Sequence, residues 1–409
     1  MRLILILIPM VFHAAIFAQD NTFSVGEAID YGLKNNEGIQ VAAYEVESQS
    51  QLKKTSFDLP KTDVSLVYGQ YNSYSTNDNN ITVTQKIPFS SLGSQGRLNR
   101  SLLSRAKLRK ESAENELAYR IKEIFYQLAH AYSLQDLLRR QDSLFEGFYQ
   151  AASIRYKAGE TRLLEQTTAE VHLNEAHNRL RENESDISVL KTRLKGLLNT
   201  PAIPDIDDKR LREIPFDITP DSTILAANPS LTYVRQQIEL AANVKKLEAV
   251  KAAPDLLLGF FSQTLTGTTN PETGTSATRS DRFAGIHVGV SIPLWFRPQQ
   301  GRIRSAEYEM RAAESNYRSQ QLMVASELEQ AVQSFQKNKN SLEYYKTSAL
   351  VNAELILEQS QAAFRGGEIG YTEYLVALRN AIDIREGYLQ TLNAYNQSVI
   401  YIEFLAGNK

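Results

Sequence analysis

Two hydrophobic periods alternate along this chain. Between residues 95 and 157 the apolar positions step at fours and threes through Leu117, Ile121, Ile124, Leu128 and Ala131. They continue at sevens through Leu138, Phe145 and Ala152. Such steps keep one stripe of a helix apolar, so the spacing predicts a long helix with a coiled-coil seam. A tract of roughly sixty residues reaches about 90 Å at 1.5 Å per residue. A second seam, Leu375, Leu378, Ile382, Leu389, Leu392 and Val399, predicts a final helix ending near Leu405. The other period is two. Ile81, Val83 and Ile87 oppose Thr82, Thr84 and Lys86, and Ile286, Val288, Val290 and Ile292 oppose His287, Gly289 and Ser291. Alternation of this kind predicts strands with one apolar face. Strands at 62–71 and 80–87 read as one β-hairpin (62–87), and strands at 255–265 and 283–292 as another (255–292). Polar loops, NSYSTNDNN and TGTTNPETGTSATRSD, join them.

Punctuation residues fix the remaining elements. Ser24 with Glu27 three residues on forms a capping box for a helix reaching Phe57, and Pro60 stops it. Gly159 interrupts the first long tract, after which a helix runs to Leu198. Residues 199–223 hold Pro201, Pro204, Pro215 and Pro220 and read as an extended linker. A helix over 222–252 is stopped by Pro254. A second long tract covers 299–365, and Gly366-Gly367 breaks it before the last helix.

The plan occurs twice. ITVTQKIPFSS (81–91) has a counterpart in IHVGVSIPLWF (286–296), each a strand leaving through Ile-Pro with an aromatic close behind. RYKAGE (155–160) is echoed by FRGGE (364–368). Pro293 follows Pro88 by 205 positions, and Gly367 follows Gly159 by 208. A near-constant offset across two unlike motifs marks a duplicated unit. The chain therefore divides into a first repeat at 19–200, a linker at 201–222 and a second repeat at 223–409. The fold class is mainly α with a small β part.

Composition narrows the setting. The first eighteen residues, with one basic residue, an apolar core and Ala18 before Gln19, read as a secretory signal peptide. No later stretch reaches the roughly 18 apolar residues of a spanning helix. With no cysteine in 409 residues, disulfides, thiolate chemistry and a cysteine-borne lipid are excluded. A net charge of −2 argues against a nucleic-acid partner. Four alternating strands match transmembrane β-strands in length and pattern. Lipid tolerates no open sheet edge and four strands cannot close a barrel, so spanning strands require several chains to share one. Two chains give eight strands and three give twelve. The helices, at a mean hydropathy of −0.35 for the chain, belong in water. Together these features point to the outer membrane of a Gram-negative bacterium with the helices in the periplasm. A periplasmic coiled-coil scaffold without a pore, in which the hairpins form a soluble cap, is the alternative architecture.

The two turn motifs, the two Ile-Pro strand exits and the duplicated plan resemble the TolC-type outer-membrane efflux proteins over essentially the whole mature chain. The short length and PLWFRPQQGRI are most similar to the heavy-metal branch of that family. The resemblance implies a homotrimer whose twelve strands form one transmembrane β-barrel and whose helices form a periplasmic α-barrel. It implies a passive exit duct of a tripartite efflux or secretion system. A periplasmic adaptor would join it to an inner-membrane pump of the RND or ABC type, with metal cations or drugs as cargo. Arg155, Tyr156, Gly159, Phe364, Gly366 and Gly367 become the adaptor-contacting set at the helical tips. Glycine suits such turns because they need positive φ, although any helical hairpin would use it too. Glu165 and Glu373, each six residues past a tip glycine, become the candidate periplasmic gate. As rings of like charge they would attract cations and raise one another's pKa; a solvated helix face is the plainer reading. Val376 stands where some members carry a second acid, and Ile369 where they carry an arginine.

Arg97, Arg100, Arg105, Lys107, Arg109 and Lys110 follow the first strand pair, and Arg297, Arg302 and Arg304 the second. Cations near a helix start oppose its dipole, so lipid headgroups, a charged tunnel wall or plain solvation must account for them. Phe89, Trp295 and Phe296 suit either an interfacial aromatic girdle or burial between helices. No enzyme is expected. His172 and His177 lie about 140° apart on a helix, and no phosphate-cradling loop or nucleophile elbow occurs. Met310 and Met323 are the only methionines of the mature chain. No metal site or cofactor is implied.

Overall fold

The computed structural model describes residues 21–216 and 222–408; the leader at 1–18 and Pro220 of the linker lie outside them. Two compact units emerge, each drawing on both repeats. One comprises the described residues of Met1–Glu37, Glu116–Ile218 and Ala331–Ile402; the other comprises those of Gly38–Asn115, Thr219–Gln330 and Glu403–Lys409.

The first unit is helical. Its chain starts with β1 (Thr22–Phe23) and α1 (Val25–Asn35). Ser24 caps α1 as its sequence predicts, the Ser24 N–H donating to Glu27 Oε2 at 2.9 Å and the Glu27 N–H to Ser24 Oγ at 3.3 Å. The expected single helix to Phe57 is instead broken at Asn36, where the backbone is extended. Asn36 Nδ2 donates to the Leu197 carbonyl at 2.9 Å, and Asn199 Nδ2 to the Asn35 carbonyl at 3.0 Å. Asn199 thereby satisfies the freed end of α1, and Asn36 the end of the helix that closes at Leu198. A new helix, α2 (Glu37–Lys54), follows. Gly32 lets α1 approach closely, because a Cβ there would sit 2.6 Å from Ile121 Cδ1.

The seam predicted for α3 (Phe89–Lys157) is buried throughout, from Leu117 to Ala152, with Ile121 and Leu128 fully enclosed. It packs with α4 (Leu163–Leu198), α7 (Leu350–Arg365) and α8 (Tyr371–Ala406). Around the turns the core is Phe145, Ala152, Ala169, Leu173, Leu375, Leu378 and Ile382. The linker is not merely extended. Its β4 (Asp205–Ile206) pairs in parallel with β1. Asp205 accepts from Tyr132 Oη at 2.7 Å and from Lys191 Nζ at 2.9 Å. Fully buried Asn396 donates to the Arg212 carbonyl at 2.7 Å and accepts from the Ile214 N–H at 2.9 Å. The second long tract also differs from its uninterrupted reading. After α6 (Phe296–Tyr344) comes one π-helical turn, Tyr345–Ala349, before α7. A π-turn inserts one extra residue; here Tyr345 lies against Gly387 of α8, where a Cβ would meet its hydroxyl at 2.3 Å.

The second unit holds the sheet. The strands β2 (Asp63–Tyr68), β3 (Asn79–Ile87), β5 (Asp255–Thr264) and β6 (Arg282–Ser291) form one antiparallel sheet in the order β2-β3-β5-β6. Helix α5 (Pro229–Val250) precedes β5. Both expected hairpins are present, and β3–β5 pairing welds them together. The register aligns Val64 with Val83, Val83 with Phe260 and Phe260 with Ile286. In the same way Leu256 sits between Ile87 and Val290, and Leu258 pairs with Val288. One face is therefore largely apolar, interrupted by Gln85 and Ser262, and much of it is exposed: Ile286 at 78% and Val64 at 70%. The other face carries Asp63, Ser65, Thr82, Thr84, Lys86 and His287. Two glycines admit large neighbours there. The His287 ring lies across Gly259, where a Cβ would come within 1.9 Å, and the Phe261 ring across Gly285, within 2.8 Å.

Candidate functional site

The repeat is sharpest at its two turns. After α3, the Gly159 N–H donates to the Tyr156 carbonyl at 3.0 Å and the Glu160 N–H to the Arg155 carbonyl at 2.9 Å. After α7, the Gly367 N–H donates to the Phe364 carbonyl at 3.2 Å and the Glu368 N–H to the Ala363 carbonyl at 2.8 Å. These paired bonds are the Schellman closure of a helix, which puts the residue after the cap in the left-handed region. Gly159 has φ 76° and Gly367 φ 74°. The expectation of positive φ fails for Gly366, which caps α7 in a right-handed conformation at φ −74°.

The two candidate gate acids differ in surroundings. Glu165, at the start of α4, accepts from Arg155 Nη1 at 3.1 Å and from the Thr161 hydroxyl. Arg155 also approaches Glu160 at 4.0 Å. Glu373, at the start of α8, is exposed and takes the Gly370 N–H on Oε2 at 3.0 Å. So the first acid is ion-paired to the helix before its turn, while the second caps its own helix start.

The aromatic residues gather on one side. Phe364 stacks on Tyr374 with centroids 4.8 Å apart, and Phe148 of α3 meets Tyr374 edge-on at 5.3 Å and Tyr371 at 5.8 Å. Of the expected contact set, Arg155 and Phe364 are thereby brought to one neighbourhood, whereas Tyr156 and the glycines stay exposed. Phe148, Tyr371, Tyr374 and Thr161 were not singled out by sequence; the signal for the tyrosines is their i, i+3 spacing at the head of a helix. Burial pushes the Tyr371 phenol up to about 12, with the Glu165 charge adding to it. Burial likewise raises Tyr374, against the pull of Arg365.

Part of the basic runs has plain surroundings. Helix α3 begins at Phe89, so Arg97 lies more than two turns inside it and the dipole argument lapses there. Arg109 pairs with Glu45 at 2.9 Å and Lys110 with Glu114 at 3.3 Å. Phe89, Trp295 and Phe296 are exposed, Trp295 at 83%. His172 stacks on Phe145 and His177 reaches Asp142 at 3.1 Å. No group of three potential metal ligands occurs among the described residues, and no described helix is long and apolar enough to cross a membrane. Asp78, ahead of β3, was also missed. Its carboxylate takes the hydroxyls of Ser73, Thr264 (3.0 Å) and Thr266 (2.7 Å), and these bonds lower it to about 2. It ties the β2–β3 loop to the end of β5.

Residues 222–408 match the family described as outer membrane efflux protein. The second half of the chain, 187 of its 409 residues, carries that family's signature. Solved structures of such channels share the fold over nearly the whole efflux protein. CusC superposes with a TM-score of 0.76 at 15% identity, covering 94% of this chain and 92% of CusC. VceC from Vibrio cholerae gives 0.74 at 17%, covering 94% and 96%. The open-state MtrE channel of Neisseria gonorrhoeae gives 0.75 at 14%, covering 94% and 88%. These values do not set CusC apart, so they single out no heavy-metal branch. No curated protein sequence matches the chain. The chain is thus an outer-membrane efflux channel protein and not an enzyme, which removes the pore-free scaffold.

Proposed function

We propose that three copies of this efflux protein close their sheets into one barrel of twelve strands, forming a passive exit duct. One observation carries the reading: β2 and β6 are unpaired edges of a sheet with one largely apolar face. In lipid such edges need partners. Because all three pairings are antiparallel, β2 and β6 run opposite to one another. A neighbour's β2 therefore continues the ladder of β6 in the same sense. The apolar face meets lipid, the face with Asp63, Thr84 and His287 lines the lumen, and the helical unit lies in the periplasm.

Energy comes from an inner-membrane pump, coupled through a periplasmic adaptor that meets the turns at Arg155, Tyr156, Gly159, Phe364, Gly366 and Gly367. Glu165 and Glu373 narrow the tunnel as rings of three. Their different partners give them different weights: Glu165 is neutralised by Arg155, so Glu373 supplies most of the cation sensitivity. Planar-bilayer recording tests this. Divalent block is expected to weaken strongly in Glu373→Ala and modestly in Glu165→Ala. Unchanged block in both removes them from the constriction, and a protein that forms no pore in bilayers defeats the duct.

A further inference from the structure

Behind the turns, within the helical unit, lies a cavity of roughly 500 Å³ bounded by α3, α7 and the starts of α4 and α8. That is the size range of small-molecule sites. Its walls are Leu144, Ala151, Phe148, Phe364 and the two tyrosines. The hydroxyl of Tyr371, on a side chain only 9% exposed, is buried and has no hydrogen-bond partner among the described residues. A buried hydroxyl left unpaired is costly and rare. Burial, with the Glu165 charge adding to it, keeps the phenol protonated, so it stands as a donor.

Charge around the cavity is unbalanced. Two guanidiniums, Arg155 and Arg365, line it with one carboxylate, Glu165. Arg155 and Glu165 neutralise each other at 3.1 Å, while Arg365 makes no ion pair among the described residues. The cavity therefore offers flat aromatic surface, one unused hydroxyl donor and one unused cation.

We infer that this cavity binds a small aromatic monoanion, its ring against Phe148 and Phe364, its acidic group accepting from Tyr371 and facing Arg365. An organic cation would leave the hydroxyl donor unmet and oppose Arg365. The site is built from one chain and shares Arg155 and Phe364 with the proposed adaptor contacts.

The test is calorimetric titration of the full-length protein in detergent with 1-naphthoate, against a micelle blank. One saturable site per chain is expected. Tyr371→Phe, which keeps the ring and its packing, should weaken binding roughly three- to tenfold, the usual worth of one hydrogen bond. Arg365→Gln should weaken it comparably, and 1-naphthylmethylammonium should show no saturable binding. The inference is overturned by an absence of saturable naphthoate binding, by wild-type affinity in Tyr371→Phe, or by the ammonium compound binding as tightly as the carboxylate.

Discussion

The first and second turns share one backbone and use it differently. Offset by 208 positions, both close with the same pair of hydrogen bonds and a left-handed glycine. The first is then secured by charge, through Arg155, Thr161 and Glu165. The second is secured by rings, through Phe364, Tyr371 and Tyr374 against Phe148. Position 163 is an exposed leucine where its counterpart, Tyr371, is buried. The two turns share the closure, which backbone geometry dictates, and differ in their side chains, one turn salt-sensitive and the other apolar.

The contrast can be broken most forcefully at Phe148. Phe148→Ala removes the ring that both tyrosines pack on and should cost about 1–3 kcal/mol, below the roughly 3–5 of a fully buried ring because Phe148 is only partly buried. Limited proteolysis should then cut near 367 before 159; equal cutting would show the two turns to be one cooperative piece. Next comes the shared closure. Gly159→Ala and Gly367→Ala each force a side chain into the left-handed region, costing about 1–2 kcal/mol. Gly366→Ala, in a right-handed conformation, should change the thermal midpoint far less. If all three behave alike, the closure is not what holds the turns.

Smaller effects separate charge from packing. Glu165→Gln breaks a partly exposed ion pair worth roughly 0.2–1 kcal/mol, and its effect should fade at high salt. Glu373→Gln should be salt-insensitive by comparison, because the amide oxygen still accepts the Gly370 N–H. The smallest effect lies in alkali. A phenol raised from 10 to about 12 favours the folded state while neutral, so its contribution is intact below pH 10 and is lost as pH climbs towards 12. Tyr371→Phe should therefore show a shallower loss of stability between pH 10 and 12 than the wild type. An identical slope would place the phenol in water.

Periodicity made the long elements legible. Every seam position from Leu117 to Ala152 is buried, because a stripe spaced at fours and threes has only one way to leave water. The strands were legible for the same reason at period two, and the capping box at Ser24 because its two residues answer each other locally. What escaped was short or tertiary. Two-residue strands such as Asp205–Ile206 are too brief to show a period. The break at Asn36 is made by bonds to residues about 160 positions away. The π-turn at Tyr345 answers a glycine on another helix. At the candidate site, the acids and glycines stood out by spacing, whereas Phe148 and Tyr371 were not singled out. Only the fold shows that one is a hub of rings and the other an unpaired hydroxyl.

The central claim is that open edges β2 and β6 close against neighbouring copies. Within one chain those edges lie three strand spacings apart, about 14 Å, too far for a disulfide. The natural chain has no cysteine to confuse the result. Cysteine is placed on β2 at Val64, Leu66 or Tyr68 and combined with cysteine on β6 at Ile286, Val288 or Val290. Oxidised outer membranes are then run on non-reducing gels. At least one combination is predicted to give a covalent trimer that collapses to monomer on reduction. Monomer alone in all nine combinations, spanning roughly five residues of register on each edge, would contradict closure between copies.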